Sequence, residues 1–167
     1  KLQKQGLKVT GIDVSPLAIR VCRERGVKDA RLLGIDHLNR LPKSSYDSII
    51  MFGNNFGLME TLRRARRILR MMHRITTPHA RILAGSLDVY KTKNPDHLAY
   101  HRWNRAHGRP VGLTRIRVRF KASVGPWIEW FHVAPDEMKA IMRGTGWKLV
   151  RTLTDASPLY VAVLGKE

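Results

Sequence analysis

Gly11-Ile12-Asp13-Val14-Ser15-Pro16 decides how this chain folds. Before it lies a β-prone run in which Leu7, Val9 and Ile12 alternate with Lys8 and Thr10, and after it a helical pattern begins. The stretch therefore reads as a strand with an acidic tip, a tight turn and a helix start. Ser15 suits the N-cap and Pro16 the first helical position. Capping accounts for those two residues and leaves Asp13 over. An acid at the carboxyl tip of the second strand of a nucleotide-binding α/β sheet accepts hydrogen bonds from both ribose hydroxyls. Asp13 is read in that role; the plainer alternative is an acid that only caps the helix.

Working outward, strand and helix patterns alternate. Residues 8–14 form the first strand, and a helix runs from Pro16 to about Arg25, stopped by Gly26. Residues 30–35 read as a short strand ending at Asp36, and residues 46–52 as a buried, parallel-type strand ending in Gly53-Asn54-Asn55-Phe56-Gly57. A helix from Leu58 to Arg74 places Leu58, Leu62, Ala65, Leu69 and Met72 on one face, with arginines filling the rest. Those arginines read as a solvated face, because no aromatic residues interleave them as stacking platforms would. Residues 80–86 give the next strand. Residues 89–133 break the rhythm with a helical piece over 97–107 and a hairpin. In the hairpin Ile116, Val118 and Phe120 alternate with Arg115, Arg117 and Arg119, Gly125-Pro126 signals the turn, and Trp127 to Val133 returns. Pro135 then opens a helix ended by Gly144-Thr145-Gly146, before two final strands at 147–154 and 160–164, close enough to pair antiparallel.

Composition bounds what this architecture serves. At 167 residues the chain reads as one domain with room for a core. Its 31 Lys+Arg against 13 Asp+Glu give a net charge of +18, which raises a nucleic-acid partner, although the cations are spread over a helix face, a hairpin and loops. Cys22 is the only cysteine, so an intrachain disulfide and a cysteine-rich zinc cluster are excluded and a reducing, cytoplasmic setting is expected. No run of about 18 apolar residues is present and no signal peptide is read, so no membrane partner is expected. Lys1-Leu2-Gln3-Lys4-Gln5-Gly6 reads as the end of a helix, so an N-terminal part is expected to be absent.

Taken in order, these elements resemble the class I S-adenosylmethionine-dependent methyltransferases from their second strand onward. Gly11 to Pro16 looks like that family's second motif, Gly34-Ile35-Asp36 like its third-strand motif, Asp47 with residues 48–52 like its fourth-strand motif, and Thr145-Gly146-Trp147 like the step before its final hairpin. The resemblance implies an α/β, Rossmann-like, doubly wound and mostly parallel sheet with an antiparallel C-terminal strand. The first strand, with its glycine-rich motif, would be missing, and a helix/β-hairpin insertion over 89–133 would serve as a cap. It further implies S-adenosylmethionine as cofactor. Asp13, with Val14 beside it, would hold the ribose; Asp36 and the backbone at His37 would read adenine; Gly53 and Asn54 would border the methionine end. A sulfonium is an activated methyl donor, so positioning the nucleophile does most of the chemical work. Without the first motif, the chain alone is expected to bind the cofactor weakly or not at all.

Within the insertion, His97, His101 and Asn104 fall at i, i+4 and i+7 on one helical face. That face, with Tyr100, reads as a substrate lid, with His101 as general base; an exposed polar helix is the plain alternative. No metal site is expected, since the two histidines lack a third ligand at a familiar spacing. Arg115 and Arg117 read as substrate-binding, a clamp for an anionic group, or else as a solvated row. Trp127, Trp130 and Phe131 read as packing. Methyl transfer to a small molecule is the leading function, favoured by the cap. Transfer to RNA or protein, favoured by the charge, is the alternative, and a nicotinamide-dependent Rossmann enzyme or a non-catalytic remnant stands third.

Overall fold

Ser15 starts the first helix as its sequence requires: its Oγ accepts from the Ala18 amide at 3.2 Å, and Pro16 occupies the first turn. The computed structural model describes residues 1–167, and these divide into two compact units, Lys1–Pro42 and Lys43–Glu167.

The first unit opens with a 3-10 turn, Leu2–Gln5, ended by Gly6 at φ 86°, in keeping with the helix end expected there. Strand β1 (Thr10–Asp13) leads into helix α1 (Pro16–Glu24) and returns as β2 (Asp29–Leu32), parallel to β1 in register Thr10↔Asp29 to Asp13↔Leu32. Thr10 Oγ1 donates to Asp29 Oδ2 at 2.7 Å, and Arg31 grips the same carboxylate with two bonds of 2.8 and 2.9 Å. These hydrogen bonds, that from Arg31 first, hold the Asp29 carboxyl below its ordinary range. β2 ends at Leu32 rather than Ile35. Asp36 therefore sits in a 3-10 turn, Ile35–Arg40, beyond the strand tip.

In the second unit β3 (Tyr46–Met51) runs parallel to β4 (Thr76–Leu87), with helix α2 (Leu62–Ile75) between them in sequence. The insertion carries helix α3 (Pro95–Ala106) and four short strands: β5 (Leu113–Ile116), β6 (Arg119–Phe120), β7 (Ser123–Val124) and β8 (Ile128–Phe131). Helix α4 (Pro135–Met142) and strands β9 (Trp147–Thr154) and β10 (Leu159–Lys166) complete the chain. β10 is antiparallel to both β4 and β9, giving a sheet of order β3-β4-β10-β9. The parallel pairs β1–β2 and β3–β4 and the antiparallel C-terminal strands are those expected. β1 pairs only with β2, and β3 only with β4.

The α2 core stripe departs from the expected one. Ala65, Leu69 and Met72 are buried as expected, joined by Ile68 and Ile75, but Leu58 and Leu62 are 38% and 43% exposed. The cause is local. Glu60 takes φ 57° after a 3-10 turn, Asn55–Met59, and Thr61 caps α2 through the Arg64 amide at 3.2 Å, so the helix starts four residues late. The hairpin also differs, because residues 114–120 are not one strand. Lys121 takes φ 53° and, with Ala122, makes the reversal between β6 and β7. Gly125-Pro126 instead closes the base of that small hairpin, the Gly125 amide donating to the Val118 carbonyl at 2.8 Å. Pro126 has no N–H to continue the ladder.

Candidate functional site

In the first unit the β1 tip presents Asp13 and Val14. Asp13 is exposed, and its Oδ1 accepts from the Ser15 amide at 2.7 Å. That bond closes the turn ahead of the helix, whose cap is Ser15, and it engages one carboxylate oxygen, leaving the other for a ligand. Val14 is 74% exposed. A Cβ added at Gly34 would stand 3.2 Å from Val14 Cγ1 and 3.6 Å from His37 Nδ1. Val14 and His37 thus pack closely on Gly34, and a side chain at 34 would press on Val14. Asp36 follows in the adjoining turn, half-buried.

In the second unit a cleft of about 410 Å³ opens at the carboxyl ends of β3 and β4, the end where open α/β sheets place ligands. Its walls include Phe52, Gly53, Asn54, Ser86, Asp155 and Tyr160. Gly53 and Asn54, singled out from sequence, both turn here through positive φ, 67° and 65°. Gly85 lets β4 come this close, since a Cβ there would stand 3.2 Å from the Asn54 nitrogen. Asn54 Nδ2 donates to His132 Nδ1 at 2.9 Å, while its Oδ1 is buried without a partner. A buried acceptor left unpaired costs on the order of 1–3 kcal/mol, so this end of the amide suits a ligand carrying an N–H or O–H donor. Burial pushes the His132 imidazole below its ordinary value, favouring the neutral ring that accepts this bond.

Sequence reading missed His132, Ser86 and Tyr160. Ser86 Oγ donates to the Val133 carbonyl at 3.0 Å and accepts from its amide at 3.1 Å, and the Tyr160 hydroxyl reaches the same carbonyl at 2.5 Å. These bonds anchor the returning leg of the insertion at the cleft and bring His132 to Asn54. Nothing in the spacing of these residues along the chain signals it, since His132 lies 78 positions from Asn54. Two glycines do mark the contact. A Cβ at Gly112 would stand 2.0 Å from the His132 carbonyl, and one at Gly57 would stand 1.9 Å from Trp130 Nε1.

The lid face of α3 is placed differently from the other candidates. His101 and Asn104 are buried within the insertion, at 8% and 0% exposure, and His101 does not line the cleft. Burial first, then Arg105 and His97, holds the His101 imidazole below its ordinary value. Asn104 is a structural brace: its Nδ2 donates to the Val111 and Leu113 carbonyls at 3.0 and 2.9 Å, and its Oδ1 accepts from Arg109. His97 is exposed against Thr92, and Tyr100 stacks on Trp103 with centroids 5.8 Å apart. Arg115 and Arg117 stand over the Trp127 ring at 5.6 and 4.6 Å. Trp127 is therefore not packing in the core; it is 51% exposed.

Parallel strand pairs followed by an antiparallel C-terminal pair are the arrangement of the Rossmann-like α/β folds. Within these folds, the model of the methyltransferase domain family matches residues 1–84, half of the chain, and the chain belongs to that family. A search of curated proteins finds no match. Among solved structures, an S-adenosylmethionine-dependent methyltransferase from Bacteroides fragilis, in complex with S-adenosylhomocysteine, matches with TM-score 0.78 and 26% identity. The match covers 99% of this chain, which spans only 65% of the Bacteroides protein. A methyltransferase from Methanosarcina mazei matches at TM-score 0.75 and 15% identity, over 99% of this chain and 84% of its own. The 1,6-didemethyltoxoflavin-N1-methyltransferase of Burkholderia thailandensis shares the fold at TM-score 0.56 and 12% identity, over 99% of this chain and 63% of its own. No helix is long and apolar enough to cross a membrane.

Proposed function

We propose that this chain serves S-adenosylmethionine-dependent methyl transfer to a small-molecule acceptor. The observation that carries the reading is the match of 99% of the chain, at 26% identity, to a methyltransferase structure that holds S-adenosylhomocysteine. The residues fit such a cofactor unit by unit. In the first unit, the open carboxylate oxygen of Asp13 takes the ribose hydroxyls. The exposed Val14 side chain takes the flat adenine ring, while Asp36 and the His37 backbone read its edge. In the second unit, Gly53 and Asn54 take the methionine end, whose ammonium supplies the donor that the buried Asn54 Oδ1 lacks.

When bound, the cofactor supplies a methyl group already activated on a sulfonium. The chain's own residues have to orient the acceptor and exclude water. The cleft at Asn54 offers the acceptor mixed walls, Phe52 and Tyr160 as apolar surface and Ser86 and Asp155 as polar, at a size suited to a small organic molecule. A small molecule is also what the Burkholderia protein holds, 1,6-didemethyltoxoflavin. An amide-resolved nuclear magnetic resonance titration with S-adenosylhomocysteine tests the reading, since it registers weak binding. Responses should centre on Asp13, Val14, Asp36 and His37 and on Gly53 and Asn54, and a response confined to other residues would refute it.

A further inference from the structure

The +18 charge has two concentrated outlets, and the structure separates them. On α2 three arginines are used within the fold: Arg64 pairs with Glu60 at 2.8 Å, Arg66 reaches the Ala140 carbonyl and Arg70 the Gly144 carbonyl. No Trp, Tyr or Phe lies on that helix. The insertion hairpin is built otherwise. Arg115 and Arg117 stack over the half-exposed Trp127 ring, Arg119 follows, and Lys121 lies 5.5 Å over the 70% exposed Phe120 ring. Glu129, the one carboxylate between residues 113 and 131, is already held by Arg109 at 3.0 Å. Arg115 stands opposite Glu129 across the strands, but the ion pair of that carboxylate is with Arg109; three of the four hairpin cations lie over an aromatic ring, two of them over the same one.

We infer that the Arg115–Arg117–Trp127 face of the hairpin binds single-stranded nucleic acid. Guanidinium groups in this arrangement meet phosphates, and both the guanidinium planes and the indole offer stacking surfaces to unpaired bases. Such a platform is sequence-tolerant. A second copy of the chain is disfavoured as occupant, because it would bring a like-charged hairpin to this one. A lipid surface would leave the ring-stacked guanidinium groups without a role, since charge attraction alone does not need them ordered. The inference goes beyond the methyl-transfer reading and does not depend on it.

The test is fluorescence anisotropy with a labelled oligouridylate of about 8 nucleotides, the site size of one small binding surface, across a salt series. The triple variant R115Q/R117Q/R119Q should bind about tenfold more weakly at low salt, and its log–log salt slope should be shallower by about 2, the value for three phosphate contacts on a single strand. Trp127→Ala should weaken binding about tenfold with the slope unchanged, and Trp127→Phe should restore most of it. A charge-matched control, R63Q/R74Q/R151Q, removes three exposed arginines that stack on no ring and should lose clearly less. The inference is overturned if the two triple variants lose equally or if Trp127→Ala has no effect. It is also overturned if uridine monophosphate or phosphatidylserine vesicles compete as well as the oligomer does, or if no binding is seen. Circular dichroism of each variant separates lost binding from lost fold.

Discussion

At the scale of single residues, glycines record where the backbone has to pass. Gly146 is the sharpest case. It takes φ 80°, and a Cβ there would stand 2.5 Å from the His73 ring. Immediately after it, Trp147 is fully buried, donates from Nε1 to the Leu69 carbonyl at 3.0 Å and meets His73 edge-on. Gly146→Ala combines an unfavourable φ with overpacking and should destabilise the chain by about 2 kcal/mol or more in urea unfolding; an unchanged midpoint would contradict this account of the motif. Gly-Trp was legible in the sequence as a step before a final strand, and so was the acid at Asp13. What was not legible was that Asp13 would spend one oxygen on the Ser15 amide. Nor was it legible that Asn104, spaced like a lid residue, would brace the 109–113 turn instead. Helical periodicity puts residues on one face; it does not say whether that face looks at a cleft or into a fold.

At the scale of elements, the strands and helices lay close to where hydrophobic periodicity put them, because burial enforces those periods. The misses are at boundaries governed by backbone conformation. Glu60 and Lys121 are non-glycine residues at positive φ, so neither advertised the break it makes. The sheet pairings carry a prediction. β4 and β10 lie inside the four-stranded sheet with partners on both sides, whereas β1 and β2 pair only with one another. A two-stranded sheet is marginal in water, and the first unit has few buried apolar side chains, chiefly Ile19, Ala30, Leu38 and Leu41. Hydrogen exchange should therefore find the β4 and β10 amides slowest and those of β1 and β2 faster by orders of magnitude. Equal protection in the two sheets would contradict this.

At the scale of the whole molecule, three buried or half-buried histidines set the response to acid. His73, His101 and His132 are each held below the ordinary value of 6.5, with burial the first cause in every case. A lowered folded value means that the native state binds fewer protons than the unfolded chain. This stabilisation is complete above about pH 6.5 and is lost as pH falls through the folded values. Calorimetry should thus show the melting temperature of the second unit falling between about pH 7 and pH 5, with little change between about pH 7 and pH 8. A flat profile would contradict the burial of these rings. The central claim, that the strand tips serve S-adenosylmethionine, is tested most directly by the S-adenosylhomocysteine titration set beside one with NAD. The account predicts that S-adenosylhomocysteine moves the amides of Asp13, Val14, Asp36 and His37 together with Gly53 and Asn54, that NAD leaves Gly53 and Asn54 unmoved, and that Asp13→Ala weakens the response about tenfold or more. Stronger responses to NAD, or an undiminished response in Asp13→Ala, would contradict it.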